Sequence, residues 1–136
     1  MTPAFVDAFY WIGLANPKDQ WRQLVLKTQN SLGKRPLITT EGVLIEVAAG
    51  LSSNEFMRSA ALTLIDGILA DANIIVIPQS HDSFTAGLDF YSSRLDKAYS
   101  LVDCISMNCC NAHAITEVLT NDHHFEQEGF SILIKR

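Results

Sequence analysis

Cysteine is scarce in this 136-residue chain, which has only three: Cys104, Cys109 and Cys110. An odd number, clustered in one predicted helix, cannot form a disulfide framework, and no Cys-x-x-Cys spacing is present. We therefore expect a reducing, cytoplasmic environment. We also expect Cys109 and Cys110 to be small packing residues rather than metal ligands or nucleophiles.

Long apolar runs, linkers and repeats are also absent. No apolar run approaches the ~18 residues of a membrane span, so no membrane association is expected. The first residues lack the basic and apolar regions of a signal peptide. Seven glycines and four prolines form no linker, and an apolar content of 48% is typical of a globular protein. The sequence predicts one domain over residues 1–136.

Positive charge is in deficit, with 10 basic residues against 15 acidic ones and a net charge of −5. Proteins that bind nucleic acids are usually basic, so this balance does not by itself favour such a function. One stretch, however, contains a single acid, Asp19, among five basic residues: Lys18, Arg22, Lys27, Lys34 and Arg35. This stretch is either a solvated helix face or a strip that contacts RNA phosphates.

Short apolar runs alternate with helical patterns along the whole chain. The predicted strands are Phe5–Val6, Leu37–Thr39, Ile74–Ile77, Ile115–Thr120 and Phe130–Ile134. Helices are predicted over 8–16, 17–33, 40–50, 54–70, 81–95 and 100–111, with a short one around Phe125. The β-branched run at 74–77 indicates a central strand covered on both faces. The fold class is therefore α/β, with a mostly parallel sheet of about five strands and helices on both faces.

Four acids lie where these strands end or where helices turn inward. Asp7 and Asp122 follow predicted strands, Asp103 lies in the first turn of a helix, and Glu46 interrupts an apolar stretch. Ligands of parallel sheets bind beyond the carboxyl ends of the strands, so the four side chains are expected to converge. Carboxylates are costly in apolar surroundings unless they are compensated. Converging acids without matching bases indicate a divalent metal site.

Each acid also has a purely structural explanation. Asp7 could cap the helix that follows it. Asp103 could form a capping box with Ser100, and this role is compatible with metal binding. Asp122 could be a turn residue. Glu46 is the hardest to explain structurally, because its neighbours are nearly all apolar.

Other chemical motifs find little support. His123 and His124 are adjacent and should face apart, and no His-Glu-x-x-His spacing accompanies them, so a zinc site is not favoured. Asp96 reads as a turn residue beside Arg94 and Lys97 rather than as a support for the acids. No Gly-x-Ser-x-Gly elbow and no glycine-rich phosphate loop is present.

Four segments resemble the corresponding motifs of a known family, in the same order. They are Val6-Asp7-Ala8; Thr39-Thr40 with Leu44-Ile45-Glu46-Val47; Asp96 to Ser106; and Leu119 to Phe125 with Gly129-Phe130. Together they resemble the PIN-domain ribonucleases, and most closely the VapC-like toxins of type II toxin–antitoxin systems. The resemblance covers essentially the whole chain.

The resemblance implies a metal-dependent endoribonuclease that hydrolyses RNA phosphodiester bonds with Mg²⁺ or Mn²⁺. The family's four acids fall on Asp7, Glu46, Asp103 and Asp122, which would be both metal-binding and catalytic. In this hypothesis a metal-activated water attacks the phosphate, and Glu46 either completes the metal shell or accepts a proton from that water. Family members often have a hydroxyl residue just after the first acid; here Ala8 and Phe9 follow it, so its orienting hydrogen bond is missing or comes from elsewhere.

The resemblance also implies partners: a structured RNA such as transfer or ribosomal RNA, a small antitoxin protein, and a second copy of the chain in a homodimer. The apolar helix over 56–69 is core by default, with a dimer surface or an antitoxin groove as alternatives. Two competing functions remain. One is a catalytically silent PIN-like module that binds RNA or protein. The other is a receiver-type signalling domain, which the absence of an aspartate after Ile77 disfavours.

Overall fold

A computed structural model describes residues 1–136 and contains five strands and seven helices. The strands are β1 (Ala4–Val6), β2 (Leu37–Thr40), β3 (Ile74–Ile77), β4 (Glu117–Leu119) and β5 (Ser131–Ile132). The helices are α1 (Ala8–Ala15), α2 (Arg22–Leu32), α3 (Glu41–Gly50), α4 (Glu55–Ala70), α5 (His81–Ser92), α6 (Leu101–Ala112) and α7 (His124–Gln127). The strands form one parallel sheet in the order β3-β2-β1-β4-β5. The predicted α/β class and five-stranded parallel sheet are confirmed.

The prediction that Ile74–Ile77 is the central strand is wrong. This run forms β3, which is an edge strand paired only with β2, and Ile75 on it is 52% exposed. The centre of the sheet is β1, whose three residues are all buried. A β-branched run favours a strand, whether at the centre or at the edge of a sheet. The strand order is set by long-range pairing, which the run itself does not encode.

Local sequence signals fix most helix ends. The Thr40 side chain accepts a hydrogen bond from the Val43 N–H at 3.1 Å and starts α3, as predicted. The prediction that a helix starts at Pro17 is wrong, since α2 starts at Arg22. Between α1 and α2 the side chains of Asn16 and Asp19 accept hydrogen bonds from backbone N–H groups two residues later, at 3.0 and 2.8 Å. These Asx turns hold the backbone out of the helical conformation.

A core of 26 buried hydrophobic residues lies between the sheet and its helices. The Trp11 indole N–H donates to the Thr39 hydroxyl at 3.5 Å, and that hydroxyl donates to the Val6 carbonyl at 2.8 Å. This chain of bonds ties α1 to the carboxyl ends of β1 and β2. The three cysteines are buried and unbridged, which agrees with their expected packing role. None of the seven helices combines the length and apolar composition needed to cross a membrane.

Two residues of the basic stretch over 18–35 are engaged in contacts within the fold. Arg22 donates to the carbonyls of Gly13 and Leu14 at 3.3 and 2.6 Å, where it caps the end of α1. Arg35 pairs with Glu117 at 2.6 Å, near the residues where β2 and β4 begin. The four acids follow or flank the carboxyl ends of the strands. This ion pair therefore lies on the opposite side of the sheet, at the amino ends of the strands.

Candidate metal centre

Asp7 lies directly after β1, at the residue that precedes α1. It occupies the N-cap position, but its side chain makes no capping hydrogen bond. Its side chain is instead held by Thr120, whose hydroxyl donates to Asp7 Oδ2 at 2.9 Å. Asp7 is only 6% exposed, and Thr120 is fully buried. The capping explanation for Asp7 therefore does not account for its position.

Thr120 also joins Asp7 to the fourth acid. The Thr120 Oγ1 accepts a hydrogen bond from the Asp122 backbone N–H at 3.0 Å. This hydroxyl supplies the orienting bond that Ala8 and Phe9 cannot make. Sequence reasoning missed Thr120, because its role depends on the pairing of β1 with β4, which are far apart in the chain.

Asp103 is fixed by the first turn of α6. Its Oδ2 accepts a hydrogen bond from the Ser100 N–H, and its own N–H donates to the Ser100 hydroxyl, both at 3.0 Å. The capping box predicted for this pair is present. Asp103 is buried, with 8% of its surface exposed. The box sets the direction of the carboxylate without giving it a compensating positive charge.

Asp122 and His124 complete a close group with Asp103. The His124 N–H donates to Asp122 Oδ1 at 2.9 Å. The His124 ring Nδ1 lies 3.1 Å from Asp122 Oδ1 and 3.7 Å from Asp103 Oδ2. The potential ligand atoms of the three residues all lie within 4.8 Å of one another. His123 pairs instead with Glu126, so the two histidines do face apart.

Glu46 lies on α3, half-buried, and is outside this group of three. It is nevertheless close enough to be affected by the other acids. Burial raises the pKa of Glu46 above its usual range, and repulsion from Asp103 and Asp122 raises it further. The structure thus places Asp103 and Asp122 together, ties Asp7 to them through Thr120, and sets Glu46 at their side.

The acids lack a compensating cation. Burial raises the pKa of Asp7 to about 7; the Thr120 hydrogen bond opposes this shift, and the charges of Asp103 and Glu46 add to it. Burial also raises the pKa of Asp103, with a further contribution from the Asp122 charge. No lysine or arginine forms an ion pair with any of the four acids. Raised pKa values of this kind are expected for clustered carboxylates without a bound cation.

Comparison with known proteins gives matches in structure. No family model matches the chain, and no curated protein matches its sequence. Among solved structures, it is similar to VapC20 of Mycobacterium tuberculosis, a sarcin–ricin loop cleaving toxin. The TM-score is 0.83 at 21% identity over 93% of this chain and 95% of that one. This match extends over nearly all of both folds.

Two further solved structures match the fold of this chain. DNA-bound VapBC from Salmonella typhimurium matches with a TM-score of 0.67 and 14% identity over 98% of each chain. FitAcB from Neisseria gonorrhoeae matches with a TM-score of 0.65 and 12% identity over 96% of each chain. The chain has the PIN-domain fold. At these identities the likeness establishes the fold alone, and the chemistry must be argued from the residues.

The donor set of this PIN domain suits a divalent cation. Carboxylate oxygens are the ligands that Mg²⁺ and Mn²⁺ prefer, and Mg²⁺ needs only a few of them because it keeps several waters. Asp103 and Asp122 are close enough to share one ion. Asp7 and Glu46 add negative charge beside them. A bound cation would remove the repulsion and the desolvation cost that raise these pKa values.

Proposed function

We propose that the chain is an Mg²⁺- or Mn²⁺-dependent endoribonuclease that hydrolyses RNA phosphodiester bonds, and that it is the toxin of a toxin–antitoxin pair. One observation carries the proposal: Asp103 and Asp122 lie together, with Asp7 and Glu46 near enough to feel their charges, and no lysine or arginine is paired with any of the four acids. In the absence of a cation, three of the four have raised pKa values. Such a group is costly unless it serves a ligand.

Each acid has an assigned role. Asp7, Asp103 and Asp122 would hold the metal, directly or through water. When bound, the metal supplies an acidified water and positive charge that stabilises the phosphate oxygens in the transition state. Glu46 either completes the metal shell or accepts a proton from the attacking water. Burial and the charges of Asp103 and Asp122 raise the pKa of Glu46, which makes its carboxylate a stronger base than an exposed glutamate.

One structural neighbour supports RNA as the substrate. VapC20 is described as a toxin that cleaves the sarcin–ricin loop, and this chain shares its fold over nearly the full length. We therefore assign structured RNA, ribosomal or transfer RNA, as the substrate class. Recognition would rest on RNA shape and on phosphate contacts rather than on a basic surface, since the net charge of the chain is −5.

Two exposed apolar surfaces fit the proposed partners. The first is on α4, where Leu62 and Leu69 are exposed on the same side of the helix. The second is a stripe along α5 and the turn after it, made of Phe84, Leu88, Tyr91 and Leu95. We assign the α4 surface to an antitoxin helix and the α5 stripe to a homodimer contact.

Light scattering tests the homodimer contact. Wild type should have the mass of a dimer, and Leu88→Glu should have that of a monomer.

The test of the activity is cleavage of total cellular RNA by purified protein with Mg²⁺, with Mn²⁺ and with EDTA. Wild type is compared with Asp103→Asn. Asp96→Asn is the matched control, because Asp96 is an exposed acid nearby that contacts only Lys97, at 3.9 Å. We expect discrete fragments that require metal, persist in Asp96→Asn and disappear in Asp103→Asn. RNA that is bound but never cut would instead indicate a silent binding module.

A further inference from the structure

His124 contains a buried nitrogen with no hydrogen-bond partner. Its Nδ1 has no contact with solvent and makes no hydrogen bond, although carboxylate oxygens of Asp122 and Asp103 lie 3.1 and 3.7 Å away. The Asp103 oxygen is too far for a hydrogen bond, and the Asp122 oxygen is near enough but makes none. Buried polar atoms in native proteins are almost always partnered, and an unpartnered one points to a missing ion or water.

The imidazole ring is held in this orientation from both sides. The backbone N–H of His124 is bonded to Asp122 Oδ1 at 2.9 Å. The ring packs edge-on against Tyr99, with 5.6 Å between ring centroids. Tyr99 is itself buried, and its hydroxyl donates to Glu128 at 2.8 Å. Arg94 holds Glu128 in turn with two bonds, at 3.0 and 3.1 Å. Packing against Tyr99, which Glu128 and Arg94 hold in turn, thus limits the rotation of the His124 ring.

The separations suit a shared ion. Two donors that each lie about 2.1 Å from one ion are from about 3 Å to about 4.2 Å apart, depending on the coordination angle. The distances from Nδ1 to Asp122 Oδ1 and to Asp103 Oδ2 fall inside that interval.

We propose that His124 Nδ1 is a ligand of the ion held by Asp103 and Asp122, and that it makes the site select Mn²⁺ over Mg²⁺. The proposal rests on the metal site of the proposed function and assigns its third donor. Both ions accept carboxylate oxygens, but Mn²⁺, a first-row transition metal, also accepts an imidazole nitrogen more readily than Mg²⁺, which keeps oxygen ligands and water. A nitrogen in the set therefore favours Mn²⁺, while an all-carboxylate set would discriminate little.

The test is a titration of metal-free protein with Mn²⁺ alone, followed by electron paramagnetic resonance. The continuous-wave signal of free Mn²⁺ gives the affinity, and competition with Mg²⁺ gives the affinity for that ion. Electron spin echo modulation detects a nitrogen bound directly to Mn²⁺. The variant is His124→Asn, which puts an amide near the position of Nδ1. The matched control is His123→Asn, since His123 is adjacent in sequence but exposed and paired with Glu126.

We expect nitrogen modulation in wild type and in His123→Asn, and none in His124→Asn. The preference for Mn²⁺ over Mg²⁺ should fall at least about tenfold in His124→Asn and stay unchanged in His123→Asn. Should His124→Asn fail to fold, the spectra of wild type and His123→Asn still decide whether a nitrogen other than that of His123 binds Mn²⁺.

Two results would overturn the proposal and are distinguishable. Tight Mn²⁺ binding that Asp103→Asn abolishes, with no nitrogen modulation in wild type, would leave the proposed function standing. His124 would then be only a charge partner of the two acids. No Mn²⁺ binding to wild type at all would remove both the ligand assignment and the metal-dependent function on which it rests.

Discussion

Glu128 and the acids at the carboxyl ends of the strands lie only a short distance apart in the fold, but only Glu128 is paired with an arginine. Glu128 accepts hydrogen bonds from Arg94 and from the Tyr99 hydroxyl, and the Arg94 bond in particular lowers the pKa of Glu128. Asp7 receives one hydroxyl bond, from Thr120, and its pKa is raised to about 7 by burial. The fold thus supplies a cation to the acid that holds structure together and supplies none to the acids at the carboxyl edge. An external cation is the simplest compensation for the second group.

The largest expected effect is on catalysis. In Asp7→Asn we expect cleavage to fall by on the order of a thousandfold or more, because a metal-holding carboxylate is lost. In the metal-free state the same variant should unfold at higher urea concentration than wild type at pH 8, because a buried charge has been removed. Initial cleavage rates and urea unfolding in EDTA measure the two effects. Retained cleavage, or a metal-free variant that is less stable than wild type, would contradict the proposed difference between Asp7 and Glu128.

The same acid-to-amide substitution at Glu128 should lower the free energy of unfolding instead of raising it. Glu128→Gln leaves Arg94 and Tyr99 without their charged partner, so we expect a loss of about 1 to 3 kcal/mol in the free energy of unfolding. Urea unfolding in EDTA measures it. Lys97→Gln is the control, since the Lys97–Asp96 contact is exposed and should contribute little. A Glu128→Gln protein as stable as wild type would mean that this acid is not held structurally.

The two groups should also differ in their pH dependence. The folded-state pKa of Asp7 is raised from 3.8 to about 7, so its contribution to stability is complete below pH 3.8 and is lost as pH rises through 7. The pKa of Glu128 is lowered, so its contribution is present above its ordinary value of 4.5 and is lost as the pH falls below it. In EDTA we therefore expect the melting temperature of wild type to fall between about pH 5 and pH 8.

The matched comparison for this pH effect is Asp7→Asn, in which the fall should be smaller. The fall should also shrink when Mg²⁺ replaces EDTA, since bound metal keeps the carboxylates charged in the folded state. A wild-type melting temperature that rises steadily from pH 5 to pH 8 in EDTA would show that the acids are already compensated within the protein.

The smallest effect is expected at the opposite edge of the sheet. Arg35 and Glu117 form an ion pair at 2.6 Å that is partly exposed to solvent. A double-mutant cycle with Arg35→Gln and Glu117→Gln should give a coupling energy of at most about 1 kcal/mol. Cleavage should be unchanged, because the pair lies away from the carboxyl edge. A large loss of cleavage in either variant would place substrate contacts at this edge and would revive the basic stretch as an RNA surface.

The sequence was sufficient to predict the fold class, because alternating apolar runs and helical patterns leave few architectures other than a parallel sheet with covering helices. It was not sufficient to place the strands. The run at 74–77 reads as central and lies at the edge, whereas the three residues of β1 are too short a pattern to be recognised as the centre. Strand order depends on pairing between distant segments, which local patterns do not contain.

The candidate site also divides into residues that local sequence identifies and residues that only the folded structure identifies. The four acids and the Ser100 capping box could be found from local sequence, since Asp7, Asp103 and Asp122 stand at the ends of elements and Glu46 interrupts an apolar stretch. Thr120 and His124 could not, because their roles arise from contacts between β1, β4, α6 and α7. His124 was set aside as one of two adjacent histidines facing apart. They do face apart, but one of them faces the acids.

The measurement that tests the account most directly is the melting temperature of purified protein at pH 8, in EDTA and then in millimolar Mn²⁺ or Mg²⁺, beside Asp103→Asn. The account predicts that metal raises the wild-type melting temperature by roughly 5 °C or more, because an ion that binds only the folded state stabilises it. In Asp103→Asn the rise should be absent. An unchanged wild-type melting temperature with either metal would contradict the claim that the uncompensated acids form a metal centre.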